Sequence, residues 1–300
     1  MTTPQCPRLA LYFPEDIKAN HIDDHNNSVR KIPVFYHIPK NAGTYFYNCI
    51  LSEVRKINHN VCIIRVFDNQ HILAKIIVSN ENLSLFGNKL IPLQNRNDHW
   101  YLNIIDLSED LIEKLSILFV SIEASGFRKI ETSLKLVFLS LSKFVLYKFI
   151  IFREPFSREQ SLYYYLTSDK SKHEATHGVF KSLSFEEHIL SKQLQDSWLT
   201  RSLLNIPFGT KILTEENFNK VCSILETFEI YDIKQIEKAI NDTLLKCFNV
   251  KNFDPKEMSS SQKNQNTYNK IKLHELPSDA QQRFNERKYW DQKLYNHFIQ

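Results

Sequence analysis

The stretch KIPVFYHIPKNAGTYFYNCI, from Lys31 to Ile50, constrains the fold of this chain more than any other. Residues 32–38 are mostly β-branched or aromatic, which predicts a buried strand, and Pro39 ends it. From Gly43 onward, apolar residues recur at helical spacing, so a helix should follow the turn. A strand that passes through a short turn into a helix is the repeating unit of α/β proteins, and the stretch therefore predicts that class.

The turn itself, HIPKNAGT at residues 37–44, is typical of an anion-binding site. The first amides of a helix have no acceptor within the helix and carry a partial positive charge. Lys40 adds a full charge beside them, and Gly43, one of only 5 glycines in 300 residues, lets a ligand approach the backbone. The lysine precedes the glycine, so the Walker pattern G-x-x-x-x-G-K-[ST] is absent. An ordinary strand-to-helix turn is the alternative.

A second strand, turn and helix is predicted for FIIFREPFSREQSLYYYL, at Phe149–Leu166. Arg153 falls at the end of the strand, where open α/β sheets bind ligands, and Pro155 suits the first position of a helix. Arginine offers phosphate a planar, permanently charged fork, while Ser157 and Ser161 are four apart and share a helix face. The alternative is an arginine paired with one of the two nearby glutamates at a solvated helix end.

Together the two segments resemble the nucleotide-binding signatures of sulfotransferases that use 3'-phosphoadenosine 5'-phosphosulfate (PAPS). The carbohydrate branch, which includes heparan sulfate 2-O-sulfotransferase and its bacterial relatives, is the most similar. Its first strand carries a pattern like HIPK-x-[AG]-[GS]-T, and its second carries R-[DE]-P with a serine eight residues after the arginine. The matching residues are His37, Ile38, Pro39, Lys40, Asn41, Ala42, Gly43 and Thr44, and then Arg153, Glu154, Pro155 and Ser161.

The resemblance implies a single α/β domain over residues 1–300. Its expected fold is a P-loop-like three-layer sandwich, with a central, mainly parallel sheet flanked by helices. Residues 1–30 would be an N-terminal extension, 31–56 the 5'-phosphosulfate loop and its helix, and 145–166 the segment for the 3'-phosphate.

The implied activity is transfer of a sulfuryl group from PAPS to a hydroxyl of a carbohydrate or glycoconjugate acceptor. Lys40 would neutralise the leaving group, and Arg153 with Ser161 would hold the 3'-phosphate. Such a transfer depends mainly on positioning and charge stabilisation, so the scheme requires no metal. A polar loop at residues 259–270 would close over the nucleotide, unless it is only a surface loop. The implied binding residues are Lys40, Asn41, Ala42, Gly43, Thr44, Tyr45, Arg153, Ser161 and Lys263.

The general base is where this chain departs from the branch it resembles. The branch often places a histidine on the strand before the arginine-bearing one, and residues 101–151 contain no histidine. If residues 119–127 form that strand, Glu123 is the base, since a carboxylate can serve in this role. If residues 136–144 form it, Lys135 takes the catalytic position and needs a lowered pKa.

Two further histidines complete the candidates. His99 precedes Trp100 in a predicted loop and is the third candidate for the base. His37 belongs to the first motif, where it is expected to support the loop and could also take a catalytic role. Because the usual histidine is missing, a catalytically impaired protein that only binds nucleotide is the alternative function.

Composition is consistent with a globular enzyme, with 42% hydrophobic and 24% charged residues. A net charge of +4 favours a local basic cleft for an anionic cofactor over a nucleic-acid-binding face. The five cysteines are scattered, with no C-x-x-C pair, which predicts reduced core residues and neither a disulfide framework nor a zinc site. No signal peptide or membrane anchor is evident, so the cytoplasm is expected, or the Golgi lumen for a trimmed eukaryotic chain.

The rest of the chain gives coarser predictions. Residues 61–77 alternate as a pair of strands, and residues 106–121 have a helical pattern. The apolar run at residues 134–152 predicts two strands rather than a membrane span, because lysines interrupt it. Residues 213–225 resemble a strand, an acidic turn and a helix of the same family, and Tyr289–Phe298 resembles its closing helix, with an Asp-x-x-Leu-Tyr pattern.

Overall fold

The computed structural model describes residues 30–57, 61–67, 73–78, 83–92, 99–103, 111, 114, 116–122, 144–168, 181–192, 194–251, 253 and 268–300. These residues form an α/β fold around one sheet. The strands are β1 Arg30–His37, β2 Val61–Phe67, β3 Leu73–Val78, β4 Ile91–Pro92, β5 His99–Asn103, β6 Ser116–Ile122, β7 Phe144–Phe152 and β8 Glu229–Asp232.

The sheet is mainly parallel. Its strand order is β4-β5-β3-β2-β6-β1-β7-β8. Strands β2, β6, β1, β7 and β8 run parallel to their neighbours in this group. Strand β3 is antiparallel to β2 and to β5, and β4 is antiparallel to β5. The predicted α/β class with a mainly parallel sheet is therefore confirmed.

Helices connect and cover these strands. They are α1 Gly43–Ile57, α2 Leu83–Phe86, α3 Pro155–Thr167, α4 Phe185–Leu190, α5 Trp198–Leu204, α6 Glu215–Leu225, α7 Ile236–Phe248 and α8 Ser278–Ile299. Among the described residues, no helix is both long enough and apolar enough to cross a bilayer.

Strands β1 and β7 are buried on both faces, because successive side chains point to opposite sides of a sheet. Phe35 and Phe149 stack with 5.1 Å between their ring centroids and pack against α1 and α7. The next residues along each strand, Tyr36 and Ile150, pack instead against α5, α6 and α8. The two central strands are thus held in place by helices from either side.

Helix α8 closes the fold through the predicted Asp-x-x-Leu-Tyr pattern. The carboxylate of Asp291 accepts hydrogen bonds from the amides of Leu199 and Thr200, at 3.0 and 2.9 Å, and so caps the start of α5. Leu294 is fully buried, and the Tyr295 hydroxyl donates to Asp232 at the end of β8. The closing helix was therefore predicted correctly, and its pattern fastens it to two neighbouring elements.

The local strand and helix predictions are mostly confirmed. The two strand-turn-helix segments are β1 with α1 and β7 with α3, and residues 61–77 contain the antiparallel pair β2 and β3. Cys49, Cys62 and Cys222 are buried and free, as expected of reduced core residues.

Two of the predicted helices and strands were wrong. Residues 116–121 do not continue a helix but belong to β6, which lies between β1 and β2. The sequence SILFVSI is a nearly continuous apolar run, which is typical of central parallel strands. Together with the polar residues before it, such a run can be mistaken for a helical pattern. The strand predicted at the start of residues 213–225 is absent, since Leu213, although buried, lies in irregular structure and Thr214 is already the N-cap of α6.

Candidate functional site

The two predicted motifs meet at the carboxyl ends of β1 and β7, which are neighbours in the sheet. From β1 the chain continues through α1 to β2, on one side of β1. From β7 it continues through α3 and later helices to β8, on the opposite side. An open α/β sheet leaves a crevice where its connections diverge in this way, and ligands bind there.

The turn after β1 has an unusual backbone. Lys40 and Ala42 have φ angles of 71° and 56°, in the left-handed region that non-glycine residues rarely adopt. The turn is held by the Asn41 side chain, whose Nδ2 donates to the Ile151 carbonyl of β7 at 2.6 Å, and by the Asn41 amide, which donates to the Ile38 carbonyl at 3.2 Å. A strained turn fastened to a neighbouring strand is characteristic of a functional loop.

Arg153 links the second motif to this turn. Its Nη1 donates to the Lys40 carbonyl at 3.0 Å, and its Nε donates to the Ser157 hydroxyl at 3.0 Å. Lys40 and Arg153 are 113 residues apart in the sequence, so only the fold brings them together. Two cationic side chains consequently lie side by side at the sheet's carboxyl edge.

The Lys40 ammonium lies against an aromatic ring. Its Nζ is 3.9 Å from the ring centroid of Tyr165, within the range of a cation–π contact. Burial, together with the positive charge of Arg153, lowers the pKa of Lys40 to about 8. An anion bound beside Lys40 would offset both effects and favour the charged form.

One face of α3 carries the other candidate binding groups. Ser157, Ser161 and Tyr165 follow each other at intervals of four, which aligns them along the helix. Ser161 is only 6% exposed. The Arg153 side chain bonds Ser157, and no contact between Arg153 and Ser161 supports their predicted joint action.

The alternative prediction, that Arg153 pairs with Glu154 or Glu159, is wrong. Glu154 is the N-cap of α3 and accepts from the amides of Phe156 and Ser157 at 2.9 and 2.7 Å. Glu159 faces inward and is 3% exposed. Arg153 is therefore not neutralised by either carboxylate.

Glu159 belongs to a buried group of charges beneath α3. Its carboxylate lies 2.9 Å from His188 Nε2 on α4 and 2.8 Å from Lys288 Nζ on α8. Burial alone would raise the pKa of Glu159, but Lys288, His188 and Arg158 outweigh it and hold that pKa well below its usual range. These contacts fix α3 against two other helices, so the face that carries Ser157 is rigidly placed.

The packing of His37 explains the glycine of the first motif. A Cβ at residue 43 would lie 2.1 Å from both Cδ2 and Nε2 of His37, far inside van der Waals contact. The His37 ring also packs against Phe35, with 5.5 Å between ring centroids. Gly43 thus lets the start of α1 approach the end of β1, and His37 has the supporting position that was predicted for it.

The remaining motif residues form the first turn of α1. The Phe46 amide donates to the Ala42 carbonyl at 3.0 Å, so the amides of residues 43–45 precede the first hydrogen bond of the helix. Thr44 is exposed beside these amides, and Tyr45 is partly buried. The backbone donors that were predicted to bind an anion are therefore placed at the crevice.

The polar loop at residues 259–270 is described only from Tyr268 onward, and Lys263 lies outside the described residues. The ring of Tyr268 stacks on Tyr164 with 4.3 Å between centroids, and Gln160 Nε2 donates to the Ile271 carbonyl at 2.7 Å. The carboxyl end of the loop is consequently attached to α3, the helix that carries Ser157.

Of the three candidates for the general base, only His99 lies among the described residues. Strand β6 ends at Ile122, which pairs with His37 of β1. Glu123 is the next residue in the sequence, and both it and Lys135 lie outside the described residues. His99 was predicted to lie in a loop, but it is the first residue of β5. Four strand spacings separate β5 from β1, about 19 Å in all, so the backbone of His99 is too far away for a base at the Lys40 turn.

Tyr165 and Arg158 were assigned no role from the sequence, and Ser157 was proposed as a phosphate ligand but not as a partner of Arg153. Ser157 bonds Arg153, Tyr165 contacts Lys40, and Arg158 lies buried behind the turn. The interval of four that links Ser157 to Tyr165 through Ser161 was a usable signal. Nothing in the sequence distinguishes Arg158 from a surface arginine.

No cluster of three or more metal-ligating side chains occurs among the described residues. No protein-family model, curated protein or solved structure matches the chain. Its function must therefore be argued from the site itself.

Proposed function

We propose that this protein is a sulfotransferase that moves a sulfuryl group from PAPS to a hydroxyl of a carbohydrate or glycoconjugate. The main support for this proposal is the hydrogen bond from Arg153 Nη1 to the Lys40 carbonyl. It joins the two motifs at a switch point of the sheet, where an anionic nucleotide would meet two cations and the amides of a helix start.

In this proposal, the 5'-phosphosulfate lies over the turn. The amides of residues 43–45 and the Thr44 hydroxyl donate to its oxygens, and Lys40 stabilises the negative charge that develops on the leaving phosphate. Arg153 and Ser161 bind the 3'-phosphate. Ser157 orients Arg153 through the Nε contact, which leaves the second terminal nitrogen of the guanidinium for the ligand.

The P-loop-like three-layer sandwich is also part of the proposal. It is supported by the helices that contact β1 and β7 from either side and by the parallel group of strands around them. Glu123 is the proposed general base. Glu123 follows β6 in the sequence, and the last residue of β6 pairs with His37. Strand β6 therefore ends at the same edge of the sheet as β1, which Lys40 follows.

Binding is tested by thermal denaturation with and without 3'-phosphoadenosine 5'-phosphate, the nucleotide product. The wild-type chain should be stabilised in proportion to the ligand concentration, and Lys40→Ala and Arg153→Ala should abolish the shift. Lys238→Ala is the matched control, since Lys238 is an exposed lysine on α7. A wild-type protein without any shift would exclude the proposal.

Transfer is tested separately with labelled PAPS and a panel of sulfated and unsulfated glycans. Incorporation of label that depends on Lys40 and on Glu123 supports the enzyme. Nucleotide binding without transfer to any acceptor would favour the second candidate, a nucleotide-binding protein that has lost catalysis. The lack of a histidine between residues 101 and 151 is the observation that favours this alternative.

A further inference from the structure

A small cavity lies directly behind the anion-binding turn. It is lined by the turn, the end of β7 and helices α3, α5 and α8, and its volume is about 20 Å³. Its polar lining residues are Asn41, Arg153, Arg158, Lys288, Asp291 and Tyr295. This volume is enough for about one water molecule.

Two polar atoms of residues that line this cavity have no hydrogen-bond partner among the described residues. They are Oδ1 of Asn41 and Nε of Arg158. Asn41 is 1% exposed and Arg158 is 7% exposed, so bulk water does not satisfy them. Buried donors and acceptors without partners are rare in folded proteins, which makes a pair of them on residues around one cavity unusual.

The other polar side chains of the cavity already have hydrogen-bond partners. Arg153 donates to the Lys40 carbonyl and to the Ser157 hydroxyl. Asp291 accepts from Leu199 and Thr200, and Tyr295 donates to Asp232. The Lys288 ammonium donates to the Gln195 carbonyl at 2.7 Å as well as contacting Glu159. The requirement at this site is therefore for a group that accepts from Arg158 and donates to Asn41.

Only a neutral group that both donates and accepts satisfies these requirements. An anion cannot donate to Oδ1 of Asn41, and a cation would face Arg153, Arg158 and Lys288. The orientation of the Asn41 amide is fixed, because its nitrogen donates to the Ile151 carbonyl. Water meets both needs within the available volume.

We propose that one buried water molecule bridges Arg158 Nε and Asn41 Oδ1. Through this water, Arg158 acts as a positioning residue for the anion-binding turn. Asn41 lies between the two left-handed residues, Lys40 and Ala42, and already fastens the turn to β7. The water fastens the same side chain to α3, the helix that carries Ser157. The turn and the helix are then held as one rigid anion site.

A crystal structure of the full chain at high resolution tests the water directly. Electron density for one water within hydrogen-bond distance of both atoms supports the proposal. A map without that water, a direct Arg158–Asn41 contact, or an anomalous signal at the cavity after a bromide soak would each overturn it.

The positioning role is tested with Arg158→Met and Asn41→Ala. Their effects on the free energy of unfolding should be non-additive, because either change removes the bridge. Additive effects would contradict the coupling. This measurement and the crystal structure do not require that the protein bind nucleotide.

A third measurement rests on the proposed function. Arg158→Met should lower the affinity for 3'-phosphoadenosine 5'-phosphate about tenfold, or about 1.4 kcal/mol, the size of one net hydrogen bond. Arg201→Met is the matched control, since Arg201 is 4% exposed but bonds Asp196 and the Lys211 carbonyl, away from the cavity. An equal loss of affinity in both variants would contradict a positioning role, because it would report only lost stability. Failure of the wild-type chain to bind nucleotide would refute the proposed function and leave the water site to the first two measurements.

Discussion

Replacement of Gly43 by alanine should destabilise the protein only while His37 is present. The backbone at Gly43 is not left-handed, so space alone decides the outcome. The new Cβ would lie 2.1 Å from two atoms of the His37 ring, whereas carbon atoms in contact are usually 3.5–4.0 Å apart. The ring cannot retreat freely, because it packs against Phe35 and its backbone pairs with Ile122.

The magnitude follows from two opposing effects. Overpacking of this kind costs about 1–3 kcal/mol, and alanine gains up to about 1 kcal/mol over glycine in a helix. Gly43→Ala should therefore lower the free energy of unfolding by about 1–2 kcal/mol in the wild-type background. In a His37→Ala background it should be neutral or stabilising by up to about 1 kcal/mol, a reversal of sign.

Urea denaturation followed by circular dichroism measures all four proteins of this cycle. The same loss of stability in both backgrounds would refute the steric explanation, as would a stabilised Gly43→Ala single variant. Nucleotide affinity provides a second result. If Gly43 is also needed for close approach of a ligand, the double variant recovers its stability and still binds poorly.

Three further predictions concern charge. Affinity for 3'-phosphoadenosine 5'-phosphate should be greatest below pH 8 and fall by up to tenfold per pH unit above it, since the lowered pKa of Lys40 makes its ammonium lose its proton there. Calorimetry from pH 7 to 9.5 measures this, and a fall only near pH 10 contradicts the assigned environment. Lys288→Met should lower the free energy of unfolding at pH 7 by about 3–5 kcal/mol, because it leaves Glu159 buried with its main partner removed. Glu159 would then have a raised pKa, so this variant should lose less stability at pH 5 than at pH 7, and an equal loss at both would refute the ion-pair explanation. Asp291→Ala should cost about 1–3 kcal/mol, since the cap of α5 is lost, and an unchanged urea midpoint would show that the cap contributes nothing.

The two strand-turn-helix units could be predicted from sequence because their signals are local. The apolar run of β1, the stop at Pro39 and the helical spacing after Gly43 all lie within about twenty residues. The same holds for β7, Arg153 and α3. Because the carboxyl ends of parallel strands share one edge, these units also placed Lys40 and Arg153 on the correct edge of the sheet.

The contacts within the site could not be predicted, because they depend on strand order and side-chain packing. No local pattern indicates that β1 lies between β6 and β7, or that Arg153 reaches the Lys40 carbonyl. The pattern at residues 106–121 was misleading, since a strand that is buried on both faces has no alternation to distinguish it from a helix.

The reason for Gly43 was only partly predicted. Close approach of a ligand was expected, and the structure adds a neighbour within the protein, the ring of His37. Arg158 and Lys288 look like ordinary surface charges in the sequence, although they are 7% and 2% exposed. Their burial follows from the packing of α3 against α8, which sequence spacing does not reveal.

Calorimetric titration of the full chain with 3'-phosphoadenosine 5'-phosphate tests the central claim most directly. Adenosine 5'-phosphate, which lacks the 3'-phosphate, is the matched ligand. We expect one site per chain, weaker binding of adenosine 5'-phosphate in the wild type, and loss of that discrimination in Arg153→Ala. Equal affinity for the two nucleotides, or no binding of either, would contradict the assignment of Lys40 and Arg153 to one nucleotide site.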